Sequence, residues 1–389
     1  MQGSSKSSRA ILHSLISASA FHLRGHKTER DTSWHMYDEI GRLNRLQALK
    51  LLQEDLIEQP KDAEAIYMTM SASLTLVTAD IVEGDCTEFL THLQACHQLR
   101  ALHEAQRRSM EAYTPRMRQL DIAGLFLTTL AQTTAHHLPE VWQFSLFTTN
   151  TPIFNSPFTE VDSCLEFTYG ITSSIASAIY YTNQIWYYAT STSATSTDLI
   201  IKIFDAILDL ADMLDCWTPS AEPFASIGPG KPGTLSLVQN LAISFHSATQ
   251  IYFQSCFDLA SISPTRSSLT HLSRCTLLAL ERAESDKARL SKAGASFGWP
   301  AFVAACEAPE ELRPRWALYF QKLLTSRIGS MQRAWNVVEE VWRRMDTVPA
   351  RGATERRSRI MRVESTPIRI LEPVWAAVLR EGSMTLIAA

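Results

Sequence analysis

Apolar residues recur along most of this chain with the spacing of an α-helix. Ile200, Ile203, Phe204, Ile207, Leu208 and Ala211 fall at i, i+3, i+4, i+7, i+8 and i+11. Lys202, Asp205, Asp209 and Asp212 take the other face, and Asp198 is placed to cap the start. Met331, Ala334, Trp335, Val338, Val341, Trp342 and Met345 repeat the pattern, with Arg333, Glu339, Glu340, Arg343 and Arg344 outside the stripe. Leu46, Leu49, Leu52 and Leu56 mark an early helix, Ile66, Tyr67, Met70 and Leu74 a second, and Phe89, Leu90, Leu93 and Cys96 a third. Aromatic and β-branched runs of period two are rare, and residues 368–371 are too short to imply a sheet. The pattern predicts an all-α fold, a large helical domain of stacked antiparallel helix pairs.

Breaks in the pattern place the connections. Residues 148–160 contain Pro152 and Pro157, 190–196 form a Ser/Thr tract, and 217–236 hold Pro219, Pro223, Pro229 and Pro232 with several glycines. Residues 351–362 are Arg-rich and precede a terminal apolar stretch at 368–379. The expected organisation is a helical domain over 1–346 and a tail over 347–389. Pro300 suits a first helical position, so a helix is expected to start beside Trp299.

With 46% hydrophobic residues and a formal charge of −4, the chain is globular and is no compact basic DNA-binding domain. Lys6 and Arg9 before residues 11–16, with Ala18-Ser19-Ala20 after them, have the order of a signal peptide. That run is short and broken by His13 and Ser14, so a buried helix is the plainer reading. No segment reads as long and apolar enough to cross a bilayer, which takes about 20 residues, and no membrane partner is expected. The seven cysteines, at 86, 96, 164, 216, 256, 275 and 306, include no Cys-x-x-Cys pair. Neither a metal finger nor a disulfide framework is suggested, and the chain reads as intracellular.

Short motifs add little chemistry. Gly294-Ala295-Ser296-Phe297-Gly298 matches a nucleophile elbow, but a helical segment precedes it and the last histidine, His271, comes before the serine. The glycine pattern from Gly228 to Gly233 contains Pro229 and Pro232, which remove backbone donors that a phosphate loop needs. His22 and His26 can share a helical face. With His92, His97, His103, His136 and His137 they read first as structural histidines, since no carboxylate set completes a metal site. Asp80 and Glu83-Gly84-Asp85 read as the end of one helix and the cap of the next. Residues 351–362 read first as a solvated tail, and otherwise as a nuclear-localisation or nucleic-acid patch. No catalytic, cofactor-binding or metal residue is assigned.

The stretch Gly298-Trp299-Pro300-Ala301-Phe302-Val303-Ala304-Ala305-Cys306-Glu307-Ala308, with Arg313, Gly329 and Val341-Trp342, resembles the hallmark of the fungal-specific transcription factor domain of the arginine-metabolism-regulator type. Upstream, residues 12–23, then Asp80, Gly84, Asp85, His92 and Leu93, then Phe167 with Tyr169-Gly170-Ile171, and His246 with Ile251-Tyr252-Phe253 resemble its earlier segments in order. The resemblance implies a helical regulatory region of a zinc-binuclear-cluster regulator. Such proteins carry an N-terminal six-cysteine finger that holds two zinc ions and reads DNA, and this sequence contains no such cluster.

The resemblance therefore implies a regulator of a metabolic or secondary-metabolite gene set, located in the nucleus or alternatively the cytoplasm. It would bind a small-molecule effector or protein partner, or form a homodimer, and meet DNA only indirectly or through a partner. Trp299, Phe302, Trp316, Trp335 and Trp342 would be core anchors. A cofactor-independent cyclase or isomerase would instead need a cavity with convergent ionisable groups around His92, His246 or Glu307. A non-catalytic fragment would show unpaired apolar surface near residues 1–30.

Overall fold

The computed structural model describes residues 5–58, 62–84, 88–107, 115–134, 156–158, 165–191, 197–222, 224, 232–259, 267–290, 298–347, 361–362, 368–382 and 386. The fold is all-α. The chain divides into two units: Met1–Ala131, Leu323–Ala334 and Met384–Ala389 form unit 1, and Gln132–Lys322 and Trp335–Ser383 form unit 2.

Unit 1 begins with α1 (Lys6–Gly25) and α2 (Thr32–Glu58), an antiparallel hairpin. Its register is held by His13 Nδ1 and Asn44 Oδ1 at 2.8 Å and by Ser17 Oγ donating to the Gly41 carbonyl at 2.8 Å. Ser5 caps α1 by accepting from the Ser8 amide. Against the hairpin lies α3 (Ala63–Glu83), capped at its start by Asp62 and closed by Gly84 in the left-handed region. Small side chains at the crossing, Ala10, Ala48 and Ala72, let these helices approach closely around Leu51, Leu52 and Leu76. The helix α4 (Phe89–Arg107) packs on α3, and Ile66, Met70 and Leu99 join a second cluster with Leu120 of α5 (Pro115–Gln132).

The expectation that no segment could cross a membrane is corrected at α3. Its 21 residues include an 18-residue window of mean hydropathy 1.4, long and apolar enough by length and composition. The short apolar spacing read from Ile66 to Leu74 missed this, because the small residues between them extend the apolar run. In the fold α3 packs against α1, α2 and α4 and carries the buried Asp80.

Unit 2 contains α6 (Leu165–Tyr169), α7 (Ser173–Ser191), α8 (Thr197–Cys216), α9 (Pro232–Cys256), α10 (Leu269–Arg289), α11 (Gly298–Cys306) and α12 (Arg313–Leu324). The antiparallel pair α9–α10 is its spine, with α7 and α11 against α9. The face predicted for α8 is realised: Ile203, Ile207 and Ala211 are buried while Lys202, Asp205, Asp209 and Asp212 are exposed. The helix begins at Thr197, one residue ahead of the expected cap Asp198, an ordinary displacement at a helix end.

The last long helix, α13 (Gly329–Thr347), buries Met331, Ala334, Val338 and Val341. Trp335 and Trp342 are half-buried and Met345 is exposed, so the apolar stripe is narrower than its spelling. Residues 368–371, too short to imply a sheet, do contribute one. Two-residue strands β1 (Phe257–Asp258), β2 (Met361–Arg362) and β3 (Arg369–Ile370) pair antiparallel in the order β1-β3-β2. The terminal helix α14 (Val374–Glu381) returns Trp375 to the unit 2 core.

Candidate functional site

Four residues marked in the sequence, Asp80, Glu83, Gly84 and His92, converge in unit 1. Asp80 and Glu83 sit on the last turn of α3 and His92 on the first turn of α4. Arg45 reaches them from α2. Its Nε donates to Asp80 Oδ1 at 2.9 Å, and its Nη2 lies 2.8 Å from the same oxygen and 3.0 Å from Glu88 Oε2. Arg24 of α1 pairs with Asp38 at 2.5 Å and reaches the Glu83 carbonyl. Asp80 is fully buried, and a carboxylate removed from water needs such a partner.

The other side of Asp80 is different. Its Oδ2 faces His92 Nε2 at 3.6 Å, and neither atom makes a hydrogen bond. Burial raises the Asp80 carboxyl to about 7, against the pull of the Arg45 charge. Burial, aided by Arg45, lowers His92 to about 4. A protonated Asp80 can offer its hydroxyl to the neutral imidazole with a small approach of the two. The arrangement can hold a proton, but it presents no nucleophile.

Below this network the chain makes a backbone contact. Gly84 has φ +84°, and a Cβ there would meet the Gly329 backbone at 2.7 Å. A Cβ on Gly329 would fall 2.3 Å from the Glu83 carbonyl oxygen. Two glycines far apart in sequence thus let the end of α3 and the start of α13 touch.

In unit 2 every residue of α11 is buried. Trp299 Nε1 donates to Thr133 Oγ1 at 2.9 Å, and its ring lies near Phe245 and Tyr252. The final carbonyls of α11 have no partner within the helix. Side chains supply them: Ser273 Oγ donates to Ala304 at 2.8 Å and Trp342 Nε1 to Ala305 at 2.8 Å. Trp316 Nε1 donates to Ser273 Oγ at 3.0 Å. Arg313 stacks over Trp342, 5.6 Å from its ring, and pairs with Asp346 at 2.6 Å. The residues that looked like a signature are therefore the anchor and the C-terminal cap of one buried helix. Trp299, Phe302 and Trp316 are core residues, whereas Trp335 and Trp342 are half-buried.

The ionisable candidates have separate local partners. His246 Nε2 lies 2.8 Å from the Leu214 carbonyl, its ring stacks on Trp217 at 4.1 Å, and burial lowers it to about 4. Glu307 accepts from Ser255 Oγ at 3.0 Å. The neutral imidazole and this carboxylate act as local hydrogen-bonding groups. A polar chain invisible in the sequence runs from Tyr252 Oη to Asn183 at 2.7 Å and on to Gln132 at 3.2 Å. Arg45 was missed too; the only sequence signal was a cation one residue before Leu46 in an apolar-periodic helix.

A small cleft in unit 1 is lined by Met70, Cys96, His97, Arg100, Asp121 and Thr128 among others. Its free volume, about 10 Å³, is room for one water at most and is too small for an effector. His22 and His26 do share a face, with Nε2 atoms 3.4 Å apart, yet no group of three or more metal-ligating side chains occurs among the described residues. Residues 294–297 and 228–231, His136, His137, Asp85, the His103 side chain and all but Met361–Arg362 of the Arg-rich segment lie outside the described residues.

The convergence of scattered marked residues on two buried centres agrees with a match to a family model. The model of the fungal specific transcription factor domain matches residues 4–387. The chain belongs to this family. No curated protein and no solved structure matches it. As a fungal specific transcription factor domain, it has a transcription-regulator-like role, which implies a non-enzymatic one. Within this domain, the Gly84–Gly329 contact and the α11 cap account physically for residues that carried the resemblance.

Proposed function

We propose that this chain is a helical regulatory domain that controls a fungal metabolic or secondary-metabolite gene set. It responds to a small-molecule effector or to a protein partner, a second copy of the chain among them. It reaches DNA indirectly or through a partner, without a zinc-cluster finger of its own, and it acts in the nucleus without a membrane. Residues 1–346 supply the regulatory domain. Residues 347–389 supply the Arg-rich tail and a terminal segment whose Trp375 enters the unit 2 core.

The observation that carries this reading is the family match across residues 4–387. The separate local partners of His92, His246 and Glu307 support it over a cyclase or isomerase, for which these groups would have to converge on one substrate cavity. The test is a fusion of the full chain to a heterologous DNA-binding domain in a fungal reporter strain. The expected result is a change in reporter transcription relative to the DNA-binding domain alone. A stable nuclear fusion that leaves transcription unchanged would contradict the regulatory reading. Tight promoter binding by the purified chain alone would contradict indirect contact with DNA.

A further inference from the structure

The end of α1 carries two histidines that the core does not use. The helix buries Ser14, Ser17, Ala20 and Phe21 and turns Arg24 to Asp38 of α2. His22 and His26, one turn apart, stand off that face and are both exposed. Among the described residues, the polar side-chain partner of each ring is the other ring. Their Nε2 atoms lie 3.4 Å apart, with the rings edge to face at 82°. That separation exceeds the ~2.7–3.2 Å of an ordinary N–H donor bond. It suits a shared ion. Imidazole nitrogen binds zinc at ~2.0–2.1 Å, and two such bonds to nitrogens 3.4 Å apart subtend about 110°, close to tetrahedral.

The surroundings favour a cation. The last carbonyls of α1 form the negative end of its dipole. The cations nearest in sequence are already paired, Arg24 with Asp38 and Lys27 with Asp31. Between the two histidines, Gly25 lies against the turn that joins α12 to α13. A Cβ at Gly25 would be 3.0 Å from both the Cβ and the carbonyl oxygen of Arg327. Arg327 has φ +56°, the one positive value at a non-glycine among the described residues. The pair therefore sits where the end of α1 rests on a strained turn.

We propose that His22 and His26 form a binding site for a divalent transition metal, Cu²⁺ or Zn²⁺, held by the two Nε2 atoms with water in the remaining positions. Imidazole suits both ions, and Cu²⁺ binds the more tightly. Mg²⁺ and Ca²⁺ take oxygen ligands and do not compete. The bound ion clips the last turn of α1 and steadies the backbone on which the Arg327 turn rests. The site stands on these residues alone and does not depend on the transcriptional role. A second pair, His271 and Cys275 on α10, brings Nε2 and Sγ to 3.4 Å. It is the poorer site, because metal binds the thiolate and burial pushes the Cys275 thiol up.

The test is calorimetric titration of the metal-free full chain with Cu²⁺ and with Zn²⁺, with circular dichroism as a control for folding. Wild type is expected to bind Cu²⁺ at this pair, and Zn²⁺ there more weakly. His22→Ala and His26→Ala, at exposed positions, should keep the helical signal and each weaken binding at least about tenfold, the least that loss of a supporting partner costs a metal site. His35→Ala and His271→Ala should leave it unchanged. Hydrogen exchange should slow with Zn²⁺ at residues 20–26 and 325–329. A chain that binds no Cu²⁺ overturns the proposal, as does affinity that survives either His22→Ala or His26→Ala, the mark of an adventitious ion only. Loss of affinity in His271→Ala with none in His22→Ala overturns it in favour of the α10 pair. Unchanged exchange at 325–329 overturns the link to the Arg327 turn.

Discussion

The two units solve the problem of a buried helix in opposite ways. In unit 2, the buried α11 carries Trp299 and Phe302, Trp375 packs on Phe302, and the indole N–H groups of Trp299, Trp316 and Trp375 find carbonyls or hydroxyls. In unit 1, α3 crosses α1 and α2 through small side chains, and its end is tied by charges, Arg45 to Asp80 and Arg24 to Glu83. Aromatic packing gives one tightly determined arrangement. Charged crossings respond to protons and salt.

The contrast breaks most visibly at Trp299. Trp299→Ala should destabilise by about 3–5 kcal/mol, since it opens a cavity and strips Thr133 of its donor. A drop in melting temperature of the unit 2 transition measures it; a loss under 1 kcal/mol, about what a surface change gives, would show that the ring is no anchor. Asp80→Asn should cost less, about 2–3 kcal/mol, because Arg45 keeps Glu88 as a partner. Urea midpoints should show this loss with unit 2 unaffected. Gly329→Ala is expected to cost about 1–3 kcal/mol by forcing α13 away from Glu83. An unchanged midpoint there would mean that the two backbones are not in contact.

The smallest effect is the dependence on pH, and its sign separates the two buried groups. Asp80 is raised from 3.8 to about 7, so the fold binds its proton more tightly than the unfolded chain does. Its contribution is full below 3.8 and is lost as pH rises through about 7. His92 is lowered from 6.5 to about 4, so its contribution is full above 6.5 and is lost as pH falls through about 4. Between about 4 and 6.5 the two slopes oppose and the wild-type profile should be shallow. His92→Gln should leave stability that falls with rising pH, and Asp80→Asn stability that falls with falling pH. Equal slopes in both variants would show that the pair does not titrate as placed.

Local patterns were legible in the sequence where one helix face decides burial. The α8 stripe is the clearest case, because its polar positions are charged and its apolar ones are large. The stripe from Leu46 to Leu56 misled at its first member: Leu46 is exposed, since a leucine is spelled the same on an inner or outer face. The signature stretch was legible as a buried helix start. Its cap was not, because Ser273, Trp342 and Arg313 come from three other places in the chain. Arg45 and the strand pairing of Ile370 with Phe257 were hidden for the same reason: both depend on contacts between residues far apart in sequence.

The central claim is that charges hold the end of α3 in unit 1 while rings hold α11 in unit 2. Hydrogen exchange of the Asp80→Asn variant against the wild type tests it most directly. The account predicts faster exchange through the end of α3 and the start of α4, with α11 strongly protected and unchanged in both. Faster exchange in α11, or no change at the end of α3, would contradict it.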